Sequence, residues 1–97
     1  MPPCILINPF EVPPGREEEG LQSWEKARAY LAQQPGYIST RLHRALSPGA
    51  RFLFVNIAEW ASPEAFQAAI GSAAFQELTK GLADFPHYPA LYDVVTP

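Results

Sequence analysis

The run Arg51-Phe52-Leu53-Phe54-Val55-Asn56-Ile57-Ala58-Glu59-Trp60-Ala61 decides how this chain folds. Its even positions are Phe52, Phe54, Asn56, Ala58 and Trp60, and its interior odd positions are Leu53, Val55 and Ile57. Aromatic and β-branched residues at this density read as a strand over residues 51–61. Both faces of that strand are apolar. A sheet with one face in water alternates polar with apolar side chains, so each face here calls for a cover.

Working outward, Ser62 is a good N-cap, with Pro63 at the first helical position and Glu64 just inside. A helix is predicted over residues 63–70; it bends at Gly71-Ser72 and resumes through Phe75, Leu78 and Leu82. Residues 85–89 form a loop carrying two prolines, and residues 90–95 a last strand. On the other side, the turn Ser47-Pro48-Gly49 joins the 51–61 strand to one over residues 37–46, making a hairpin. Pro35-Gly36 ends a helix over residues 16–34, which opens on Glu17, Glu18 and Glu19, where carboxylates suit the dipole. Leu21, Trp24, Ala27 and Leu31 follow at helical spacing. Before the turn Pro13-Pro14-Gly15, residues 4–12 alternate as a first strand, in which Pro9 implies an edge, a strand end or a bulge.

The order is β-α-β-β-α-β, an α+β, ferredoxin-like plan in which two helices cover one face of a four-stranded antiparallel sheet. Nothing in the chain is left for the other face. The economical cover is a second copy, packed sheet to sheet about a two-fold axis with Leu53, Val55 and Ile57 in the interface. The alternative is a central strand that tolerates a few exposed apolar side chains.

Ninety-seven residues make one domain, residues 1–97. A chain this short buries only about two-thirds of its unfolded surface, so pairing would help it. With 47% apolar and 18% charged residues, the composition is that of a globular chain rather than a disordered one. A net charge of −3 without a block of Lys or Arg argues against nucleic acid as a partner. Cys4 is the only cysteine, which excludes an internal disulfide or a CxxC clip and fits a reducing cytoplasm. The start, Met1 to Ile7, lacks a charged leader and breaks at Asn8-Pro9, so it reads as a strand rather than a signal peptide. No apolar stretch is long enough to span a membrane.

Several chemistries can be set aside. The glycines are scattered, so there is no phosphate loop. His43 and His87 have no Cys, Asp or Glu at ligand spacing, which leaves no metal site. There is no GxSxG elbow and no Cys-His pair. What remains is polar residues on apolar strand faces: Asn8 beside Leu6 and Phe10, and Asn56 beside Phe54 and Trp60. A buried amide needs a partner, whether backbone, water or ligand. A structural amide bonded to backbone and a core-filling Trp60, its indole N–H still requiring an acceptor, are the bland readings. Arg41 and His43 share a side of their strand with Tyr37 and Ser39, opposite Ile38, Thr40 and Leu42. Tyr88 and Tyr92 either close a pocket or pack, and Cys4 is a small core residue.

Asn8, the run Gln34-Pro35-Gly36-Tyr37, the run Asn56-Ile57-Ala58-Glu59-Trp60 with Ser62-Pro63-Glu64-Ala65-Phe66, and the closing Tyr92-Asp93-Val94-Val95 resemble the antibiotic biosynthesis monooxygenase family, of the dimeric α+β barrel superfamily. The resemblance covers nearly the whole chain. In the family's cofactor-free oxygenases of aromatic polyketide biosynthesis, a third-strand Asn precedes a Trp by four residues, and a Tyr follows six further on. Asn56 and Trp60 match, while Phe66 stands at the Tyr and lacks its phenol. In the haem-degrading subgroup a first-strand Asn, a helix Trp and a helix His form the site. Asn8 matches the first, but Ala69 and Thr79 stand at the others, so an axial ligand would have to come from His43 or His87. The resemblance therefore implies a monooxygenase without a cofactor, acting with O2 on a small electron-rich aromatic such as a quinol, anthrone or phenolic polyketide. Asn56 and Trp60 would donate hydrogen bonds, and Asn8, Phe10, Phe54, Phe66 and Phe75 would bind the substrate. A non-catalytic binding or structural dimer of the same fold is the alternative, favoured by the loss of the Tyr at Phe66.

Overall fold

A computed structural model describes residues 3–97; Met1 and Pro2, at the head of the first strand's run, lie outside the described residues. The elements are β1 (Cys4–Phe10), α1 (Glu17–Leu31), β2 (Tyr37–Arg44), β3 (Phe54–Trp60), α2 (Pro63–Ile70), α3 (Ala73–Lys80) and β4 (Ala90–Tyr92). They form one antiparallel four-stranded sheet in the order β2-β3-β1-β4. The α+β, ferredoxin-like plan holds, with the second helix in two pieces. Ser62 caps α2 by accepting from the Ala65 N–H at 3.1 Å. At the predicted bend Gly71 closes α2 and Ser72 caps α3, its hydroxyl accepting from the Phe75 N–H at 3.2 Å. No helix among the described residues is long and apolar enough to cross a membrane.

α2 keeps its expected bounds, while the strands and α1 are shorter than the sequence suggests. Residues 51–53 leave the β3 ladder, although the hairpin continues through Ala45 N–H to Leu53 C=O at 2.8 Å. Leu53 therefore lies outside the strand. β4 ends at Tyr92, opposite Ile5, because β1 begins one residue beyond that pair and Pro3 has no N–H to extend the ladder. Val94 and Val95 run free of the sheet, Val95 being 89% exposed. Pro9 sits in a central strand, near its end. Its carbonyl accepts from Tyr88 N–H at 3.1 Å, so the missing N–H faces the β4 side, beyond the last rung at Ile7, and the β3 ladder loses nothing.

One face assignment changes. The β2–β3 register slips between Tyr37 and Ser39, so Tyr37 pairs with Trp60 and Ser39 with Glu59. A bulge at Ile38 thus turns Tyr37 to the helix side, away from Ser39, Arg41 and His43, and its ring meets Trp60 edge-on at 5.6 Å.

The core gathers at one end of the sheet, where Cys4, Leu6, Ala58, Trp60, Phe66 and Ala69 pack together. Trp60 is 1% exposed. The close fit of α2 over this end depends on Gly36, whose φ is +90° and where a Cβ would overlap that of Ala65. A side chain there meets both a left-handed backbone and a full space. Gly36→Ala should lower unfolding free energy by about 2–4 kcal/mol, read by chemical denaturation. An unchanged midpoint would show that α2 moves aside at little cost.

Candidate functional site

The helices do not close down on the whole sheet. Beyond the packed end, a cavity of about 820 Å³ lies between them, open to the surface. Its floor is the helix-facing side of the three strands β1, β2 and β3, and its walls include Phe66 of α2, Phe75 of α3 and Leu31 of α1. The volume falls in the range of small-molecule sites, and most of its lining is apolar.

The β1–β3 register sets Asn8 directly opposite Asn56, with Phe10 opposite Phe54 on the same face. Neighbouring side chains in such a pair stand roughly 5 Å apart, so two amides lie side by side on the cavity floor. The Thr40 hydroxyl donates to Asn56 Oδ1 at 2.6 Å, which leaves the Asn56 amide N–H groups for the cavity. The Asn8 amide nitrogen has no partner among the described residues, and its Oδ1 is sealed from solvent without a hydrogen bond. The Trp60 indole also lines the cavity. Among the described residues, these N–H donors make no hydrogen bond and share one apolar space.

The aromatic walls have ordered contacts. Phe66 meets Trp60 edge-on at 5.5 Å, and Phe75 tilts against Tyr30 at 5.7 Å. Phe54 is buried, and Phe10 stacks on the His87 ring at 5.4 Å. All seven residues singled out in the sequence, Asn8, Phe10, Phe54, Asn56, Trp60, Phe66 and Phe75, line this one cavity. Ala69 is buried in the core and Thr79 lines the cavity, so no imidazole stands at either position. Tyr88 and Tyr92 are outside the cavity lining.

Three lining residues were not among the site candidates drawn from the sequence. Thr40 shares the helix-facing side of β2 with Leu42, a placement legible from alternation, but its bond to Asn56 on the neighbouring strand β3 is not. Tyr37 needed the bulge. His87 lines the mouth, and nothing in its neighbours' identity marks it. The mouth is tied down by Glu11, whose carboxylate accepts from Arg51 Nε at 2.6 Å and from the Tyr88 hydroxyl at 3.0 Å. Arg51, then Tyr88, hold the Glu11 carboxyl below its usual range, and Glu11 in turn raises Arg51. Among the described residues no cluster of His, Cys, Asp and Glu could hold a metal ion.

The sequence profile described as Antibiotic biosynthesis monooxygenase matches residues 3–81. Among solved structures, a provisionally described monooxygenase from Shewanella loihica PV-4 is 40% identical, with 99% of this chain and 97% of that one covered and a TM-score of 0.87. SnoaB, a cofactor-independent oxygenase from Streptomyces nogalater, is 24% identical over 100% of this chain and 97% of that one, TM-score 0.77. A haem-degrading protein from Mycobacterium tuberculosis is 24% identical over 98% and 96% of the two chains, TM-score 0.71. At that identity the last two bear on the fold alone. No curated protein matches the chain.

The unpaired Asn8 oxygen weakens the fold where it stands, since a buried acceptor without a donor costs about 1–3 kcal/mol. Asn8→Leu, close to it in shape, should raise stability by about 1–2 kcal/mol in a denaturant titration. A loss of stability would mean that the amide is satisfied in solution and serves the fold.

Proposed function

The chain belongs to the antibiotic biosynthesis monooxygenase family, and from that premise we propose that it is a cofactor-independent monooxygenase acting on a small electron-rich aromatic: a quinol, anthrone or phenolic polyketide. The observation that carries this reading is the pair of amides, Asn8 and Asn56, presenting free N–H groups to an apolar cavity of about 820 Å³. Such a space suits a ligand that is mostly flat hydrocarbon with one or two oxygens.

The chemistry follows from those two properties. Loss of a proton turns the substrate into a phenolate or enolate whose negative oxygen lies against the Asn56 amide and the Trp60 indole N–H. Hydrogen bonds in an apolar site stabilise that anion far more than they would in water. The electron-rich anion passes one electron to O2, the two radicals combine as a peroxide, and the peroxide eliminates water to leave a carbonyl. For an anthrone, the CH2 carbon loses four electrons and O2 gains four; one oxygen enters the product and the other leaves as water. The substrate supplies every electron. Asn8 and the rings of Phe10, Phe54, Phe66 and Phe75 hold the substrate, and the Phe at position 66 means that no phenol from α2 shares in proton transfer.

The same proposal takes residues 1–97 as one domain, cytoplasmic, with its free cysteine reduced, and working as a homodimer. The outer sheet face carries Ile5, Ile7, Val55 and Ile57, the last 39% exposed, and no element among the described residues covers it. A second copy of that face would bury them. Leu53, outside β3, would border the interface rather than line it.

Two measurements test these statements separately. Asn56→Ala should lower oxygen uptake with quinols and anthrones by roughly 10- to 1000-fold, the range for losing one oxyanion donor, while the melting temperature stays near that of the wild type. A fall in stability with unchanged specific activity would make Asn56 structural, and a wild type inert across the substrate panel would favour the non-catalytic binding dimer. Light scattering at micromolar concentration should report a dimer, and Val55→Lys should dissociate or unfold it by placing a charge in the buried face. A monomeric wild type would sink the pairing.

A further inference from the structure

The proposed chemistry needs a base, and the sequence offers no obvious one. His87 is the only histidine on the cavity lining among the described residues; His43 lies on the outer side of β2, opposite Val55. The His87 ring is held on two sides. It stacks on Phe10, with 28° between the planes, and its backbone bridges to the same residue. Its Nδ1 stands 2.8 Å from the Phe85 carbonyl oxygen. A carbonyl oxygen only accepts, so in that bond Nδ1 carries the hydrogen. In the neutral ring the lone pair is then on Nε2, which has no partner among the described residues. Phe10 is two residues along β1 from Asn8, on the same face, a rise of roughly 7 Å. A two- or three-ring aromatic spans that distance, with its oxygen at the amides and its far edge at His87.

We infer that His87 is the general base of the reaction proposed above, on which this assignment rests. Nε2 takes the proton from the acidic ring carbon, or from a second hydroxyl, at the substrate's far edge: the C–H or O–H bond breaks, an N–H bond forms, and the bonding pair stays on the substrate as an enolate or phenolate. The imidazolium returns the same proton to the peroxide anion formed with O2, so the ring ends the cycle neutral. The Nδ1–H bond to the Phe85 carbonyl fixes the tautomer that makes this exchange available. Most other charged groups on the surrounding segments are engaged: Glu11, Arg51 and Tyr88 are bound to one another, Arg28 to Glu25 and Lys80 to Glu77. Asp84, three residues before His87, is the one carboxylate on the same lining among the described residues.

The test follows oxygen uptake with an anthrone and a two-ring quinol across about pH 5 to 9, where an imidazole changes charge. In the wild type kcat/KM should rise with pH along one limb. His87→Gln, which keeps a group able to reach the Phe85 carbonyl, should lower kcat/KM by about 100- to 10,000-fold and abolish that limb. His87→Ala should regain activity when free imidazole is added, which a purely structural role would not produce. Melting temperatures of both variants check that they fold. A wild type active on the panel, with the limb intact in His87→Gln or no imidazole rescue of His87→Ala, overturns the assignment and leaves the oxygenase reading standing. A wild type inactive on the whole panel overturns both. A haem titration supplies the last arm: a Soret band of ligated haem in the wild type, lost in His87→Ala, would make Nε2 an axial ligand and end its role as a base.

Discussion

The pairing of β1 with β3 at the centre of the sheet, from Cys4 opposite Trp60 to Phe10 opposite Phe54, governs everything built on it. Side chains on a strand alternate strictly, so a slip of one residue would send Leu6, Asn8 and Phe10 to the outer face and bring Ile5, Ile7 and Pro9 inward. The observed register lays out a gradient along the helix-facing side. Small and flat residues lie at one end, then two amides abreast, then two phenyl rings. Where the gradient starts, helix and sheet meet closely. Where the amides begin, they part.

That parting is maintained by contacts on either side of it. Trp60, wedged edge-on between Tyr37 and Phe66, fills the closed end, and Gly36 lets α2 lie against it. At the open end the loop after α3 is strapped to β1 by the Glu11, Arg51 and Tyr88 contacts and by the stack of His87 on Phe10. The mouth is therefore held by polar bonds at the surface and the floor by the sheet. The donors between them sit in a space with few other polar groups, where each is worth more than in water.

The third strand was legible because its pattern is dense: two apolar faces, an Asn four residues from a Trp, and an N-cap immediately after. From it the element order, the helix-facing set and the break at Gly71-Ser72 all follow. The lengths of the elements do not, since a strand ends where its neighbour stops offering hydrogen bonds, as β4 does at Tyr92. Tyr37 was placed on the wrong side because a bulge adds one residue to the count without leaving a Gly or Pro to mark it. His87 could not be found from pattern at all. It stands in an irregular segment whose position is set by contacts to Phe10 and Phe85, far from it in character and, for Phe10, in sequence.

None of the side chains of α3 is fully buried, whereas α2 places both Phe66 and Ala69 in the core. The two halves of what the sequence presents as one helix consequently answer to different pressures. α2 is tied to the integrity of the molecule, while α3 mainly borders an empty volume. Over evolutionary time the first should drift slowly and the second can be rewritten, enlarging, shrinking or re-lining the chamber without endangering the scaffold. A lineage built on this plan can therefore change the chamber by changing a short segment while the scaffold stays as it is.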